Sequence, residues 1–189
     1  MKIPVKVGIC TALIWIVIRY GAYALGLFEF GNPKAFVFLN MFLLTSAVSI
    51  GLYLVKKNQK GESNLLLDIK TGMTAAMPHT VIISCFLFVF YSYIHPGYNQ
   101  HQIEETRKSL SDKKFLTELR KSNPSLENKT DQELIKEGIN QTRQWTSPKF
   151  TMIISLLALL MYSTFNSLVI ALIYRGVIFR ASSNHQIQP

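Results

Sequence analysis

The sequence predicts an all-α fold, an integral membrane four-helix bundle with an extracytoplasmic helical hairpin between helices 3 and 4. Two observations predict this class. The chain is 49% hydrophobic, and its apolar residues are gathered into four runs of roughly the 20 residues that a helix needs to cross a bilayer. Lys and Arg outnumber Asp and Glu and give the chain a formal net charge of +9. These basic residues cluster beside the apolar runs, as membrane topology and anionic headgroups favour. We therefore interpret residues 1–189 as a single membrane domain.

The predicted spans cover residues 7–28, 35–55, 71–94 and 150–174. Gly31, Asn32 and Pro33 supply turn chemistry between the first two spans, which predicts an antiparallel hairpin. Ala22-Tyr23-Ala24 resembles a signal-peptide cleavage site, but Arg19 and the length of the run favour a retained helix.

The distribution of basic residues predicts the orientation. Eight Lys and Arg residues lie in short segments beside the spans on one side. The other side carries Lys34, nine basic residues in one long loop and Lys149 directly after it, and eight acidic residues in that loop nearly balance them. The density of basic residues near span ends favours the first side as cytoplasmic. We therefore predict an inner (cytoplasmic) membrane protein with both termini inside and the loop of residues 95–148 outside.

The 95–148 loop is the only soluble part of appreciable size. Pro96 and Gly97 end the third span. Helical apolar spacing follows over residues 100–122, and Thr130 with Glu133 three residues later forms a capping box for a second helical segment. Because the apolar faces are narrow, we predict a hairpin of marginal stability that needs the membrane domain or a partner to hold its shape.

Two polar residues within the spans are candidates for function. Arg19 sits near the middle of span one, where insertion costs at least about 2.5 kcal/mol. Its side chain either snorkels toward the headgroups or faces the bundle interior, where it would contact an anion or lipid headgroup. His79 follows Pro78, and a proline inside a helix predicts a kink. His79 either bonds a neighbouring helix or shapes a cavity beside the kink.

Asn40 and Asn166 complete the candidate intramembrane polar site with Arg19 and His79, because an asparagine in a span can bond across helices. Small residues recur every four positions on the spans, and this spacing predicts close helix packing. These packing residues are Ser163, Ser167 and Ala171 on span four, Gly72 and Ala76 on span three, and Ala47 and Gly51 on span two.

Several chemistries lack support in the sequence. None of the four predicted spans contains Asp or Glu, which proton-driven and cation-driven transporters usually need. There is no Gly-rich phosphate loop, HExxH or GxSxG motif. Cys10 and Cys85 fall inside spans and are interpreted as small apolar packing residues. We predict no catalytic residues, no metal, no cofactor and no nucleic-acid partner.

Four segments carry a family resemblance: "YLVKKNQKGESNLLLDIKTGM" after span two, "YSYIHPGYN" at the end of span three, "TSP" before span four and "NSLVIALIYRGVIFR" at its end. In the order of its segments and in these short sequence stretches, the chain resembles domain of unknown function 4199, a family of small integral membrane proteins found mainly in Bacteroidota. The resemblance covers nearly the whole chain. It implies four spans, a retained first helix and a bacterial inner membrane, and it implies no particular activity.

Two functional hypotheses remain open. The first is a non-catalytic accessory or scaffolding subunit that binds another membrane component through its spans or its loop. The alternative is a small transporter or lipid- or anion-binding protein that uses a polar cavity near Arg19 and His79. Expected partners are the lipid bilayer and either another membrane protein or a second copy of the chain. A hydrated cavity shared by Arg19 and His79 would favour the alternative.

Overall fold

The computed structural model describes residues 2–27, 33–58 and 64–178, and every regular element within them is helical. Four helices are long and apolar enough to cross a membrane, which confirms the predicted class. They are α1 (Ile3–Ala24), α2 (Pro33–Asn58), α3 (Leu65–Val89, continued by a π-helix over Phe90–Ile94) and α7 (Pro148–Ile173, continued by a π-helix over Tyr174–Ile178). Gly31 and Asn32 of the predicted turn, and the basic residues Lys60 and Arg180, lie outside the described residues.

The chain divides into two compact units. The first, termed the bundle, contains Met1–Phe86 and Ser155–Pro189; the second, termed the loop unit, contains Leu87–Ile154. The bundle therefore holds α1, α2 and most of α3 and α7. The loop unit holds α4 (Gly97–Ser111), α5 (Lys113–Ser122), a 3-10 turn (Pro124–Leu126) and α6 (Asp131–Trp145).

Helix α1 begins at Ile3 and ends at Ala24, earlier than the predicted span at both ends. Pro4 is tolerated in the first turn because the amide hydrogens there have no partner within the helix. Gly26, just past the end, has a φ of 65°, a left-handed conformation that glycine adopts without a steric penalty. This shift places Arg19 five residues before the end of α1, or roughly 7.5 Å along the axis.

Helix α3 begins at Leu65, six residues before the predicted start of span three at residue 71. The long apolar helix Leu65–Ile94 therefore includes Asp68, whose side chain is buried. The predicted third span, 71–94, contains no acidic residue, whereas the observed helix extends back across Asp68. The helix tolerates the carboxylate because Lys56 of α2 forms an ion pair with it.

Small residues bring the other bundle helices close to α3. An added Cβ at Gly51 of α2 would lie 2.8 Å from the Cβ of Ala75, and one at Gly72 would lie 2.9 Å from Ser167 Oγ on α7. Gly8 of α1 faces the backbone carbonyl of Ala75. The packing residues named from the sequence are buried, namely Ala47, Gly51, Gly72, Ala76, Ser163, Ser167 and Ala171.

The outer surface of the bundle is apolar. Large side chains such as Val17, Phe38 and Met161 are exposed on it. Cys10 and Cys85 are also exposed, so neither packs in the interior as the sequence suggested. Such a surface suits contact with lipid chains.

The loop unit is built around an antiparallel pair, α4 and α6, as the predicted hairpin requires. Thr106 Oγ1 of α4 lies 3.0 Å from Thr142 Oγ1 of α6, and Leu110 packs against Gly138 one turn along each helix. The connecting segment is itself a helix, α5, which contributes Leu116 to the core. Leu110, Leu116 and Leu134 form a buried cluster between these helices, a small core for an independent fold.

The capping box at the start of α6 should make the stability of this helix depend on pH. The Thr130 amide donates to the Glu133 carboxylate at 2.9 Å, and the Glu133 amide donates to Thr130 Oγ1 at 3.3 Å. The Thr130 hydroxyl also donates to this carboxylate at 2.9 Å. The hydrogen bond from the Thr130 backbone, and then the one from its hydroxyl, lower the pKa of Glu133. The stabilisation is therefore fully present above the ordinary pKa of glutamate and is lost as pH falls through the lowered value.

We expect the Thr130 amide resonance to shift at the same pH as the Glu133 carboxyl resonance in an NMR titration. In Glu133→Gln, which keeps a cap without an ionisable group, the Thr130 shift should disappear. A Thr130 amide that titrates equally in both proteins would contradict the assignment.

Candidate functional site

A chain of hydrogen bonds centred on His79 joins three helices of the bundle. His79 on α3 is 0% exposed. Its Nε2 lies 2.9 Å from Asn40 Oδ1 on α2, and its Nδ1 lies 2.9 Å from Thr11 Oγ1 on α1. The Thr11 hydroxyl also donates to the Gly8 carbonyl one turn earlier at 3.0 Å, so Thr11 ties His79 to the backbone of α1. His79 therefore joins α1, α2 and α3 through both of its ring nitrogens.

Pro78 and Gly8 explain why Thr11 reaches His79. Pro78 lies inside α3, which continues through it to Val89. A Cβ at Gly8 would lie 2.8 Å from Pro78 Cγ, so the absence of a side chain lets α1 approach α3 here. Thr11 follows Gly8 by one turn and faces the same neighbour. The kink expected at Pro78 stays a prediction.

A second polar contact joins α2 and α7. Asn166 Nδ2 donates to Thr45 Oγ1 at 2.7 Å, and Tyr162 Oη lies 2.9 Å from the same oxygen. The Thr45 hydroxyl donates to the Met41 carbonyl at 2.9 Å. Thr45 can therefore accept from both partners on α7, and its hydroxyl has its hydrogen-bonding capacity filled.

Arg19 packs against an aromatic ring at a third position. Its guanidinium lies 4.2 Å from the centre of the Phe36 ring on α2, a cation–π contact. Trp15, one turn earlier on α1, donates its Nε1–H to the Phe36 carbonyl at 3.1 Å. Arg19 follows Thr11 by eight residues, roughly 12 Å along α1. The four predicted site residues thus lie in three separate contacts: His79 with Asn40, Asn166 with Thr45, and Arg19 with Phe36.

Sequence reasoning missed the ion pair between Lys56 and Asp68. Lys56 Nζ lies 2.8 Å from Asp68 Oδ2, and their side chains are only 5% and 4% exposed. The pair joins the last turns of α2 to the first turns of α3. The one available signal was Leu65-Leu66-Leu67 directly before Asp68, which extends the apolar run backward across the carboxylate.

Three buried hydroxyls show that the bundle interior is polar beyond these contacts. Among the described residues, Thr80 Oγ1, Ser84 Oγ and Ser167 Oγ lack a hydrogen-bond partner. Thr80 and Ser84 lie one turn apart on α3, and Ser167 faces Gly72 on the same helix. All three are short side chains, and none of them is hydrogen-bonded to a titratable group.

Two concave regions of the described surface are large enough to hold a ligand. One, termed the leucine cleft, has a volume of about 530 Å³ and lies between α4, α5 and α6. It is lined by Glu105, Thr106, Ser109, Leu110, Phe115, Leu119, Asn123, Leu126, Leu134, Glu137, Gly138, Gln141 and Thr142. The other, termed the lysine groove, has a volume of about 460 Å³ at one end of the bundle. It is lined by Lys2, Ile3, Pro4, Val55, Leu67, Lys70, Thr71 and Thr74.

Potential metal ligands are dispersed. Across residues 2–27, 33–58 and 64–178, no three His, Cys, Asp or Glu side chains come together in a group that could hold an ion. His95 and His101, which flank the Pro-Gly break, belong to the loop unit and form no such group there.

Comparison with known proteins gives one match. The family model described as "Protein of unknown function (DUF4199)" matches residues 6–176. The match covers all but the ends of the chain. It includes the four long apolar helices and also the segment between the third and the fourth. No curated protein and no solved structure matches the chain.

Proposed function

The chain belongs to the DUF4199 family of proteins of unknown function, and from this premise we propose that it is a non-catalytic accessory or scaffolding subunit of a membrane assembly. In this proposal it lies in a bacterial inner membrane with both termini cytoplasmic. A group of basic residues at one end of the bundle supports that orientation. They lie near the start of α1, the end of α2 and the start of α3, and are Lys2, Lys6, Lys56, Lys57 and Lys70.

The leucine cleft is the observation that carries the proposal. Its volume falls within the range of roughly 300–1,000 Å³ that binding pockets occupy. Leu110 and Leu134 belong both to the small core of the loop unit and to the wall of the cleft. An apolar group seated there would extend this core, so binding would also stabilise the unit.

The charges at the rim favour an apolar occupant. Glu105 is paired with Lys108 at 3.2 Å, and Glu137 with Lys129 at 2.6 Å. Because both rim carboxylates have a lysine beside them, the cleft offers little net charge to a ligand. An amphipathic helix of another membrane protein, laying its apolar face into the cleft, matches this chemistry.

The bundle interior supports a scaffold over a transporter. Both ring nitrogens of His79 are engaged by neighbouring helices, and Arg19 stacks on Phe36. A transport site at these residues would require them to exchange these contacts for a substrate, which costs the stability of the helix interfaces. These contacts favour the scaffold over the alternative of a cavity shared by Arg19 and His79.

Blocking the cleft should release the partner. Gln141 lines the cleft on α6, whereas the next residue back, Asn140, is exposed and does not line it. We expect Gln141→Trp to reduce recovery of a stoichiometric second membrane protein at least tenfold, and Asn140→Trp to leave it unchanged. The measurement is native mass spectrometry of the tagged chain purified from its own membranes in mild detergent.

Two outcomes would overturn the proposal. One is a wild-type chain that purifies only as a monomer or as copies of itself. The other is equal recovery of the partner with Gln141→Trp and Asn140→Trp, which would show that the partner binds elsewhere.

A further inference from the structure

The lysine groove lies where three helix ends meet: the first turn of α1, the last turn of α2 and the first turns of α3. We propose that this groove binds the headgroup and the first acyl-chain carbons of an anionic phospholipid. This inference goes beyond the proposed function, because it concerns a different surface and a different partner.

The lining of the groove combines positive charge with an apolar floor. Lys2 and Lys70 supply two ammonium groups, and Ile3, Pro4, Val55 and Leu67 supply the floor. None of the described residues that line the groove is acidic. A phosphodiester with attached hydrocarbon matches both features, because its charge meets the lysines while the chain covers apolar surface.

Asp68, which lies between Leu67 and Lys70 in sequence, does not cancel this charge. Its carboxylate is buried and paired with Lys56 at 2.8 Å. Within the described part of the groove wall, the two ammonium groups therefore face no competing carboxylate. The groove lysines therefore attract an anion more strongly than a lysine with an acidic neighbour would.

The threonines of the groove can contact a hydroxylated headgroup. The Thr71 hydroxyl donates to the Leu67 carbonyl at 2.8 Å, and the Thr74 hydroxyl donates to the Lys70 carbonyl at 2.7 Å. Each hydroxyl oxygen keeps a lone pair that can accept a hydrogen bond. Phosphatidylglycerol, whose glycerol headgroup carries hydroxyl donors beside the phosphate, is therefore the appropriate probe.

The position of the groove selects a lipid over a free anion. The groove lies at the ends of helices that cross the membrane by length and composition, which is the level of the headgroups. Inorganic phosphate would contact the lysines but would leave the four apolar side chains uncovered. A phospholipid buries them at the same time.

The test measures phosphatidylglycerol retained on the full chain by native mass spectrometry, with phosphatidylcholine as the neutral comparison. Lys2→Gln with Lys70→Gln removes both groove lysines. Lys6→Gln with Lys57→Gln removes two exposed lysines from the same end of the bundle, outside the groove. We expect about 30-fold weaker retention in the groove variant and less than threefold in the control.

Each other outcome overturns the inference. Equal losses in the two double variants would show a diffuse attraction to the whole basic surface, and no loss in either would show that the groove holds no anionic lipid. Displacement of the lipid by millimolar inorganic phosphate would show a free-anion site. Lys2→Arg with Lys70→Arg keeps the charges and should retain the lipid, so a folding defect of the glutamine variant would not hide the answer.

Discussion

Replacing Asp68 by alanine is expected to destabilise the bundle by about 3–5 kcal/mol, one of the two largest effects anticipated for any single substitution in the chain. The carboxylate lies 2.8 Å from Lys56 Nζ, and both side chains are almost fully buried. The variant leaves the Lys56 ammonium in the same buried place without this carboxylate. A buried charge that has lost its partner costs much more than an exposed pair contributes.

The matched control removes both charges. Lys56→Met with Asp68→Leu replaces the pair by apolar side chains of comparable volume, and we expect it to recover most of the lost free energy of unfolding. Unfolding of the purified proteins in detergent micelles, followed by circular dichroism against sodium dodecyl sulfate, measures both variants. If the double variant is as unstable as Asp68→Ala, the pair is not what makes the carboxylate tolerable at this position.

The second large effect is expected from Gly8→Ala. The added Cβ would meet the backbone carbonyl oxygen of Ala75 and would lie 2.8 Å from Pro78 Cγ. A backbone carbonyl and a proline ring cannot rotate away as a flexible side chain would, so α1 must shift from α3. We expect a loss of about 3 kcal/mol, the upper end of the usual cost of overpacking, together with loss of the Thr11–His79 hydrogen bond.

Gly21→Ala provides the control on the same helix. A Cβ at Gly21 meets nothing within 4 Å, so the same chemical change there should be neutral or slightly stabilising. Thermal unfolding in detergent compares the two variants directly. Equal midpoints for Gly8→Ala and Gly21→Ala would mean that α1 and α3 are not held at the described distance.

The class of the fold could be predicted because membrane spans are defined by the composition of contiguous residues. The helix ends were harder to predict. The predicted third span began at residue 71 because Asp68 and Lys70 lower the local hydropathy, yet α3 begins at Leu65. Asp68 enters the helix because a lysine twelve residues earlier, on another helix, pairs with it. A hydropathy window along one segment cannot contain that information.

The polar site could be predicted in part. Polarity within an apolar run singles out His79, Asn40, Asn166 and Arg19, but it does not say which of them meet. That depends on how each helix is rotated and where it crosses its neighbours. His79 meets Asn40, whereas its other partner, Thr11, looks like an ordinary small residue in the sequence. The proximity of Gly8 to α3 determines that contact.

The apolar exterior and hydrogen-bonded interior of the bundle have a consequence for heat capacity. Separating its helices within a bilayer would replace contacts between side chains by contacts with lipid tails, which are equally apolar, and would expose little hydrocarbon to water. Because the heat-capacity change of unfolding arises from hydration of exposed apolar surface, it should be small for this step. The free energy of helix separation would then fall almost linearly on heating, with no maximum near room temperature and no cold denaturation.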